Sequence, residues 1–349
     1  MSMMLRSIKI YGLFEEYDYS IELCGGRLTF IHSQNGYGKS TLMRLIYNVL
    51  EGNLKEVAST PFERMDLGFD DDTFLIVENN ESGLLIQMQR NLVEEELSED
   101  DLNKVLNVTY MPPERMTIMK GGCLTPALKV YLDDLTSKMK DATENCELEK
   151  VPKEGRKQYS DDELEFWCKD LKAKLEFIKQ AGFEPDMPPG YRFPPTRYEI
   201  MEYREDYTEL AFSMDDYVKR YYTLAESLIV YMDIVNNFFV NKGIYVNESG
   251  ILTAKMDNGT MLPISKLSSG EKQILVIFYR LLFQTPAGSL AIIDEPEISL
   301  HVSWQQMMGK MFTDVAKLRS LYIIVATHSP QIIHDGWDHA VELKPENVR

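Results

Sequence analysis

No stretch of the chain approaches the roughly 18 consecutive apolar residues of a membrane span, and the N-terminus lacks the basic-then-apolar pattern of a secretory leader. No membrane association is expected, and a cytoplasmic location is. Cysteine is scarce: Cys24, Cys123, Cys146 and Cys168 are the only four, and their wide spacing indicates neither a zinc site nor a disulfide framework. The five histidines include His328, His334 and His339 close together, but no cysteine accompanies them, so no metal other than a nucleotide-bound Mg²⁺ is expected. Basic charge is also short. Against 55 Asp and Glu there are 37 Lys and Arg, a net charge of −18 and a pI near 4.8. Such a chain repels a phosphate backbone as a whole, so nucleic-acid binding is not supported by its charge. An acidic surface suits a protein partner better, because its field steers a basic surface toward it. What remains is ordinary for a globular protein: 44% apolar residues over 349 positions, enough for one large core and a smaller lobe.

Near the N-terminus a strand, a small-residue loop and a helix follow one another. GRLTFI (Gly26 to Ile31) is a short apolar, β-branched run that reads as a buried strand, and STLMRLIYNVL from Ser40 has the i, i+3, i+4 spacing of a helix. The loop between them, within IHSQNGYGKST (residues 31 to 41), fits the phosphate-loop pattern G-x-x-x-x-G-K-[ST] except at its first position, where Ser33 replaces glycine. Gly36 and Gly38 let consecutive N–H groups point inward, and the start of the helix adds its positive dipole end. Lys39 is placed for the β- and γ-phosphates, and Ser40 or Thr41 offers a hydroxyl, with Ser40 the one suited to Mg²⁺. Asn35 completes the candidate ATP-binding set. Ser33 is expected to slow binding or narrow the loop's geometry without abolishing ATP binding.

A second motif lies late in the chain. In LAIIDEPEISLH (Leu290 to His301) four apolar residues precede two adjacent carboxylates, which a buried strand would present at its carboxyl end, where open α/β sheets bind ligands. Asp294 is the candidate Mg²⁺ ligand, and Glu295 the candidate for polarising an attacking water.

LSSGE (Leu267 to Glu271) lies between these motifs and resembles the signature sequence of ABC-type ATPases, usually LSGGQ. That resemblance implies that Ser268 and Gly270 contact the γ-phosphate held by an opposite subunit; Ser269 and Glu271 are variants of it. Taken alone, the same residues make a good helix N-cap with an acidic first turn. LYIIVATHSP (Leu321 to Pro330) resembles the family's switch-histidine segment, which implies a γ-phosphate-sensing role for His328, and Glu297 to His301 occupies the place of its D-loop. Within the class, LSSGEKQ, DEPEISLH and ATHSPQII are similar to the SMC, Rad50, RecF and OLD (overcoming lysogenization defect) branch. They most resemble OLD-like ATPases of bacterial anti-phage systems of the Gabija, Septu and PARIS type. SIKIYGLFEEYDYSIEL resembles the strand pair before that branch's phosphate loop. VTYMPPERM (Val108 to Met116) resembles another of its segments, with Arg115 facing a nucleotide or a partner. For the glutamine switch, Gln87 and Gln89 are candidates, although glutamine in an alternating strand is commonly a surface residue.

The expected fold is therefore α/β: an ABC-type P-loop ATPase head, with a mixed sheet and flanking helices, carrying an inserted compact helical lobe. Its expected parts are the N-terminal half of the head (1–123), the lobe (124–240) and the C-terminal half of the head (241–349). The lobe occupies the place of the SMC coiled-coil arm, but the Pro-rich break at Glu184 to Arg197 and the want of heptads exclude a long coiled coil. Tyrosines 203, 207, 217, 221, 222 and 231 form either an interface stripe or the lobe's own core. Glu94 to Asp101 reads as a solvated loop or helix start, and Asn258-Gly259 as a hairpin turn. The sequence ends soon after His328, so the Toprim nuclease domain that follows there in OLD nucleases is not expected as part of this protein.

The resemblance implies an ATPase (ATP and water to ADP and phosphate), slow or partner-regulated, that pairs head to tail with a second copy around Mg·ATP, with higher oligomers open. As the sensor of a defence system it would act on a separate effector, a nuclease or toxin. The alternative is a RecF- or Rad50-like maintenance ATPase that clamps DNA.

Overall fold

A computed structural model describes residues 3–348 except 35, 82, 91–92, 145–146, 150, 153–156 and 248–249. Asn35 and Cys146 thus lie outside the described residues. The chain divides into two compact units, Met1–Thr117 with Lys272–Arg349, and Ile118–Glu271.

The first unit is an α/β head whose strands form two sheets. Five parallel strands run in the order Ala340–Glu342, Leu28–His32, Tyr322–Thr327, Leu290–Asp294, Val108–Met111. The three central ones are nearly continuous apolar runs, as expected of parallel strands covered on both faces; every residue of Leu290–Asp294 is buried. Seven antiparallel strands make the other sheet, among them Leu5–Leu13, Tyr17–Glu22 and Arg64–Phe69. The helix Lys39–Leu50 joins both sheets in one core: its Leu42, Leu45, Ile46 and Val49 share a cluster with Ile8, Ile10 and Leu13 of the antiparallel sheet and Ile292 and Ile324 of the parallel one. The glutamines considered for a switch lie in Gly83–Arg90 of the antiparallel sheet, where Gln87 pairs with Glu96 and Gln89 with Glu94.

The second unit is built on the helices Ala127–Glu144, Asp161–Lys179, Arg197–Glu202 and Arg204–Phe238. Two of them begin with capping boxes, Ser160 with Glu163 and Thr196 with Glu199, which satisfy the otherwise orphaned first N–H groups. Leu164, Cys168 and Leu171 pack on Ile200, Tyr207, Leu210 and Met214. Burial pushes the Cys168 thiol up to about 12, so it behaves as a small apolar side chain. Tyr207, Tyr217, Tyr221 and Tyr231 are buried, so most of the tyrosine stripe packs the unit's own interior; Tyr203 is half exposed.

Residues 241–271 fall with this second unit, whereas the sequence pattern grouped them with the head. The cause is local: the strand Lys242–Val246 is tied to the long helix through Asn236, whose Oδ1 accepts from Ile244 N–H at 2.7 Å and whose Nδ2 donates to Ile244 O at 3.1 Å. That strand pairs with Leu252–Met256, which turns at Asn258-Gly259 (Gly259 φ 89°) into Met261–Leu262.

Candidate active site

Four chain segments meet at the carboxyl ends of the parallel strands, where backbone geometry leaves room for a ligand. The turn after Leu28–His32 carries Gly36 (φ 94°) and Gly38 (φ 72°), both in the left-handed region that favours glycine. A Cβ on Gly36 would meet nothing within 4 Å, whereas one on Gly38 would lie 2.9 Å from the Phe14 ring. Gly38 is the helix N-cap, and its carbonyl accepts from Leu42 N–H at 2.8 Å. Ser33 is not among the residues with positive φ, so its position makes no demand for glycine. Its hydroxyl donates to Gln34 O at 3.0 Å.

Lys39 is 4% exposed. Its Nζ lies 2.8 Å from His328 Nε2, a residue 289 positions away, and donates weakly to Ser33 Oγ at 3.5 Å. His328 Nε2 is 3.0 Å from Glu295 Oε1, and its Nδ1 is 3.0 Å from Ser33 O. Burial lowers the Lys39 ammonium below its ordinary value, and the charges of Glu295, Asp294 and Glu297 partly restore it. Gly36, Gly38, Lys39, Ser40, Thr41, Glu295 and His328 all line one cleft of about 470 Å³, together with Phe14, Gln34 and Tyr37. Gln87 and Gln89 do not line it. Volume alone does not identify this cleft: one of about 510 Å³ in the second unit, lined by Lys157, Tyr159, Arg204 and Phe212 among others, holds none of these groups.

Asp294 is fully buried. Tyr110 OH donates to its Oδ2 at 3.1 Å, the Ser40 side chain also bonds to the carboxylate, and Oδ1 has no hydrogen-bond partner among the described residues. Burial holds the Asp294 carboxyl above its ordinary value; Ser40, Tyr110 and Lys39 pull it down, Glu295 pushes it up. An unsatisfied carboxylate oxygen beside a serine hydroxyl fits a small divalent cation. No group of three or more His, Cys, Asp or Glu arranged to hold a metal ion forms among the described residues, and the one-carboxylate arrangement suits Mg²⁺, which usually shares its shell with substrate phosphates.

The raised Asp294 value has a stability consequence. The folded protein holds this proton more tightly than the unfolded chain, so the destabilisation is absent below the ordinary carboxylate range and grows as pH rises through the folded-state value. Asp294→Asn is therefore expected to raise the melting temperature of the nucleotide-free protein by about 2–4 °C at neutral pH. That gain should shrink toward about pH 4. Thermal melts of both proteins across that range check it.

Glu297 and Tyr110 were not singled out as site residues in the sequence. Glu297 Oε1 accepts from Thr327 Oγ1 (2.5 Å), His328 N–H (2.9 Å) and Ser329 N–H (3.2 Å), so it fixes the turn that presents His328. Its position two after Glu295 was the available signal. Tyr110 had none, because it reaches Asp294 across neighbouring strands. Arg115 is 2% exposed; it faces neither the cleft nor solvent but the carbonyls of Asp294 and Glu295 and the side chain of Gln273, which corrects its expected orientation toward a nucleotide or partner.

Ser268 and Gly270, the candidate signature residues, lie at the end of the second unit. Ser268 is exposed and Gly270 buried. Ser268 and Glu271 form a reciprocal cap: Ser268 N–H donates to Glu271 Oε2 at 2.8 Å, and Glu271 N–H donates to Ser268 Oγ at 3.3 Å. Lys242 Nζ sits 2.8 Å from Glu271 Oε1. Burial raises the Glu271 carboxyl, but Lys242 and Ser268 outweigh it and leave the group below its ordinary value.

This chain belongs to the AAA ATPase domain family, which matches residues 93–333. The matched span includes Asp294, Glu295 and His328 and begins beyond the glycine turn at Gly36 and Gly38. Among curated relatives, a probable iron chelatin transport ATP-binding protein of Helicobacter pylori is 27% identical over 116 residues, 33% of this chain and 44% of that protein. The Retron Ec83 probable ATPase of Escherichia coli is 34% identical over 88 residues, 22% of this chain and 16% of that protein. The chain thus spans less than half the length of these relatives. Among solved structures, an Smc head domain from Pyrococcus furiosus covers 99% of this chain and 95% of its own at 13% identity and a TM-score of 0.48. An SMC head domain from Thermotoga maritima covers 95% and 91% at 11% identity and a TM-score of 0.45. No helix among the described residues is long and apolar enough to cross a membrane.

Proposed function

We propose that the chain binds and hydrolyses Mg·ATP as an ATPase of the SMC, Rad50, RecF and OLD branch. In this reading it pairs head to tail with a second copy and controls a separate effector protein, a nuclease or toxin, in a bacterial anti-phage system. One observation carries the chemistry: His328 Nε2 lies 2.8 Å from Lys39 Nζ and 3.0 Å from Glu295 Oε1, so three distant segments meet at a glycine-rich helix start.

Each residue then has a role. The backbone N–H groups around Gly36 and Gly38 and the start of the helix hold phosphate oxygens, with Asn35 as an expected further contact. Lys39 neutralises the β- and γ-phosphates, and Thr41 adds a hydroxyl. Ser40 and Asp294 would hold Mg²⁺, which when bound offsets charge on the phosphates. Glu295 orients and polarises the attacking water, and His328 reads the γ-phosphate. Ser268 and Gly270 of one copy would close on the γ-phosphate held by the other. Hydrolysis would reopen the pair.

The defence side rests on the wording of LSSGEKQ, DEPEISLH and ATHSPQII, and is supported by the likeness to a protein named as a retron ATPase. The acidic balance, −18 overall, favours a protein partner over a DNA clamp. Mass photometry of the purified chain, with and without Mg·ATP and with the product of the adjacent gene, tests this. The expected result is a dimer that forms with ATP and a complex with that product whose population changes with ATP. ATP-dependent DNA binding without such a complex would replace the effector reading with the DNA-clamping one.

A further inference from the structure

The parallel ladder beside Asp294 stops for a covalent reason. Val108–Met111 pairs with the acidic strand from Val108 opposite Leu290 to Met111 opposite Ile293, and the next two residues are Pro112 and Pro113, which have no N–H to donate. The carbonyls of Asp294 and Glu295 receive side-chain donors in place of ladder N–H groups, and the Glu295 carbonyl also accepts a long bond from the Ile298 N–H of its own turn at 3.4 Å. Arg115 Nη1 donates to Asp294 O at 3.1 Å and Nη2 to Glu295 O at 2.7 Å. Its Nε donates to Gln273 Oε1 at 3.0 Å, and Gln273 Nε2 donates to Ile298 O at 3.3 Å.

The residue gripped this way is strained. Glu295 has φ 48°, a left-handed conformation that costs a non-glycine residue about 1–3 kcal/mol and persists only where its surroundings over-determine it. Its N–H is held on the other side by Ala326 O at 2.8 Å. A guanidinium with 2% exposure is itself costly to bury; burial brings Arg115 down to about 10, against the opposing pull of Asp294 and Glu297. A packing role alone would be filled more cheaply by an apolar side chain. The fork of two parallel N–H groups matches two successive carbonyls, which an ammonium cannot do.

We infer that Arg115 is a positioning residue for Glu295: by clamping the 294 and 295 carbonyls where the ladder has run out of donors, it holds the carboxylate in the orientation that activates water. Gln273, 3% exposed, fixes the guanidinium and ties it to the Ile298 carbonyl. The inference rests on the reading of Glu295 given above.

Arg115→Lys and Arg115→Ala test it by steady-state turnover, with ATP affinity measured separately by calorimetry and kcat normalised to the folded, ATP-binding fraction. Both variants are expected to lose about tenfold to a hundredfold in kcat, with ATP affinity within about threefold of the parent. Arg115→Lys, which keeps the charge, should not rescue. Gln273→Ala, which leaves the arginine in place, should show the same split at smaller size and serves if Arg115→Ala does not fold. Unchanged kcat per folded molecule, or a loss of kcat that only follows a loss of ATP affinity, overturns the inference. An inactive parent protein, or an active Glu295→Gln, overturns the reading beneath it; normal Arg115 variants of a parent that needs Glu295 overturn this inference alone.

Discussion

Glu295→Gln is expected to lower ATP turnover by about 10²- to 10⁴-fold, the usual contribution of a positioned general base, while ATP still binds. The substitution keeps the shape of the side chain at the end of Leu290–Asp294 and the N–H bond to Ala326 O, so the fold has no reason to change. It removes the negative oxygen that lies 3.0 Å from His328 Nε2. Loss of kcat without loss of affinity is the mark of an interaction made only in the transition state. Because the pair would reopen only after hydrolysis, the variant should also accumulate as a Mg·ATP-bound dimer. Single-turnover kinetics and mass photometry read the two effects separately. Turnover within about twofold of the parent would remove Glu295 from the chemistry.

Lys39→Ala is expected to weaken ATP binding by about a hundredfold or more, the scale for truncating one partner of a buried, hydrogen-bonded charge pair. Lys39 is 4% exposed and its Nζ points into the cleft beside His328. With the ammonium gone, Asp294, Glu295 and Glu297 face a polyphosphate without the cation that now offsets them. Thermal melts with Mg·ATP make the measurement simple: a ligand at a hundred times its Kd stabilises the parent by about 2.7 kcal/mol, and the variant should gain almost nothing. A variant that melts like the parent with nucleotide would place ATP elsewhere. The two substitutions thus separate binding from chemistry, since one spares affinity and the other removes it.

Several residues of the candidate site were legible because their signals are local. Gly36, Gly38 and Lys39 announce a phosphate loop by spacing, and the two glycines indeed have positive φ. Asp294 and Glu295 stand out because an apolar run ends on them. Ser33 looked like a defect in the pattern, yet its backbone is not left-handed, so serine fits without strain. Other residues were invisible or misplaced. Tyr110 meets Asp294 across 184 positions, and Arg115 meets Glu295 across 180; those contacts depend on strand order and register. The strand Lys242–Val246 was grouped with the head by its place in the chain, but Asn236 binds it to the long helix. Four of the tyrosines that could have formed an exposed stripe are buried, because their helix packs on its neighbours.

By itself, then, the sequence determined the α/β character of the head, the glycine turn before the helix Lys39–Leu50, the acidic end of a buried strand and the cap at Ser268, since each depends on dihedral preferences and hydrophobic period within a few residues. Only the tertiary structure decided which strands lie side by side, and with that the meeting of Lys39, His328 and Glu295 and the clamp of Arg115 on a strained turn. Those outcomes follow from burying non-local apolar surface in one particular register, and a one-residue slip in that register would turn every contributing side chain to the opposite face.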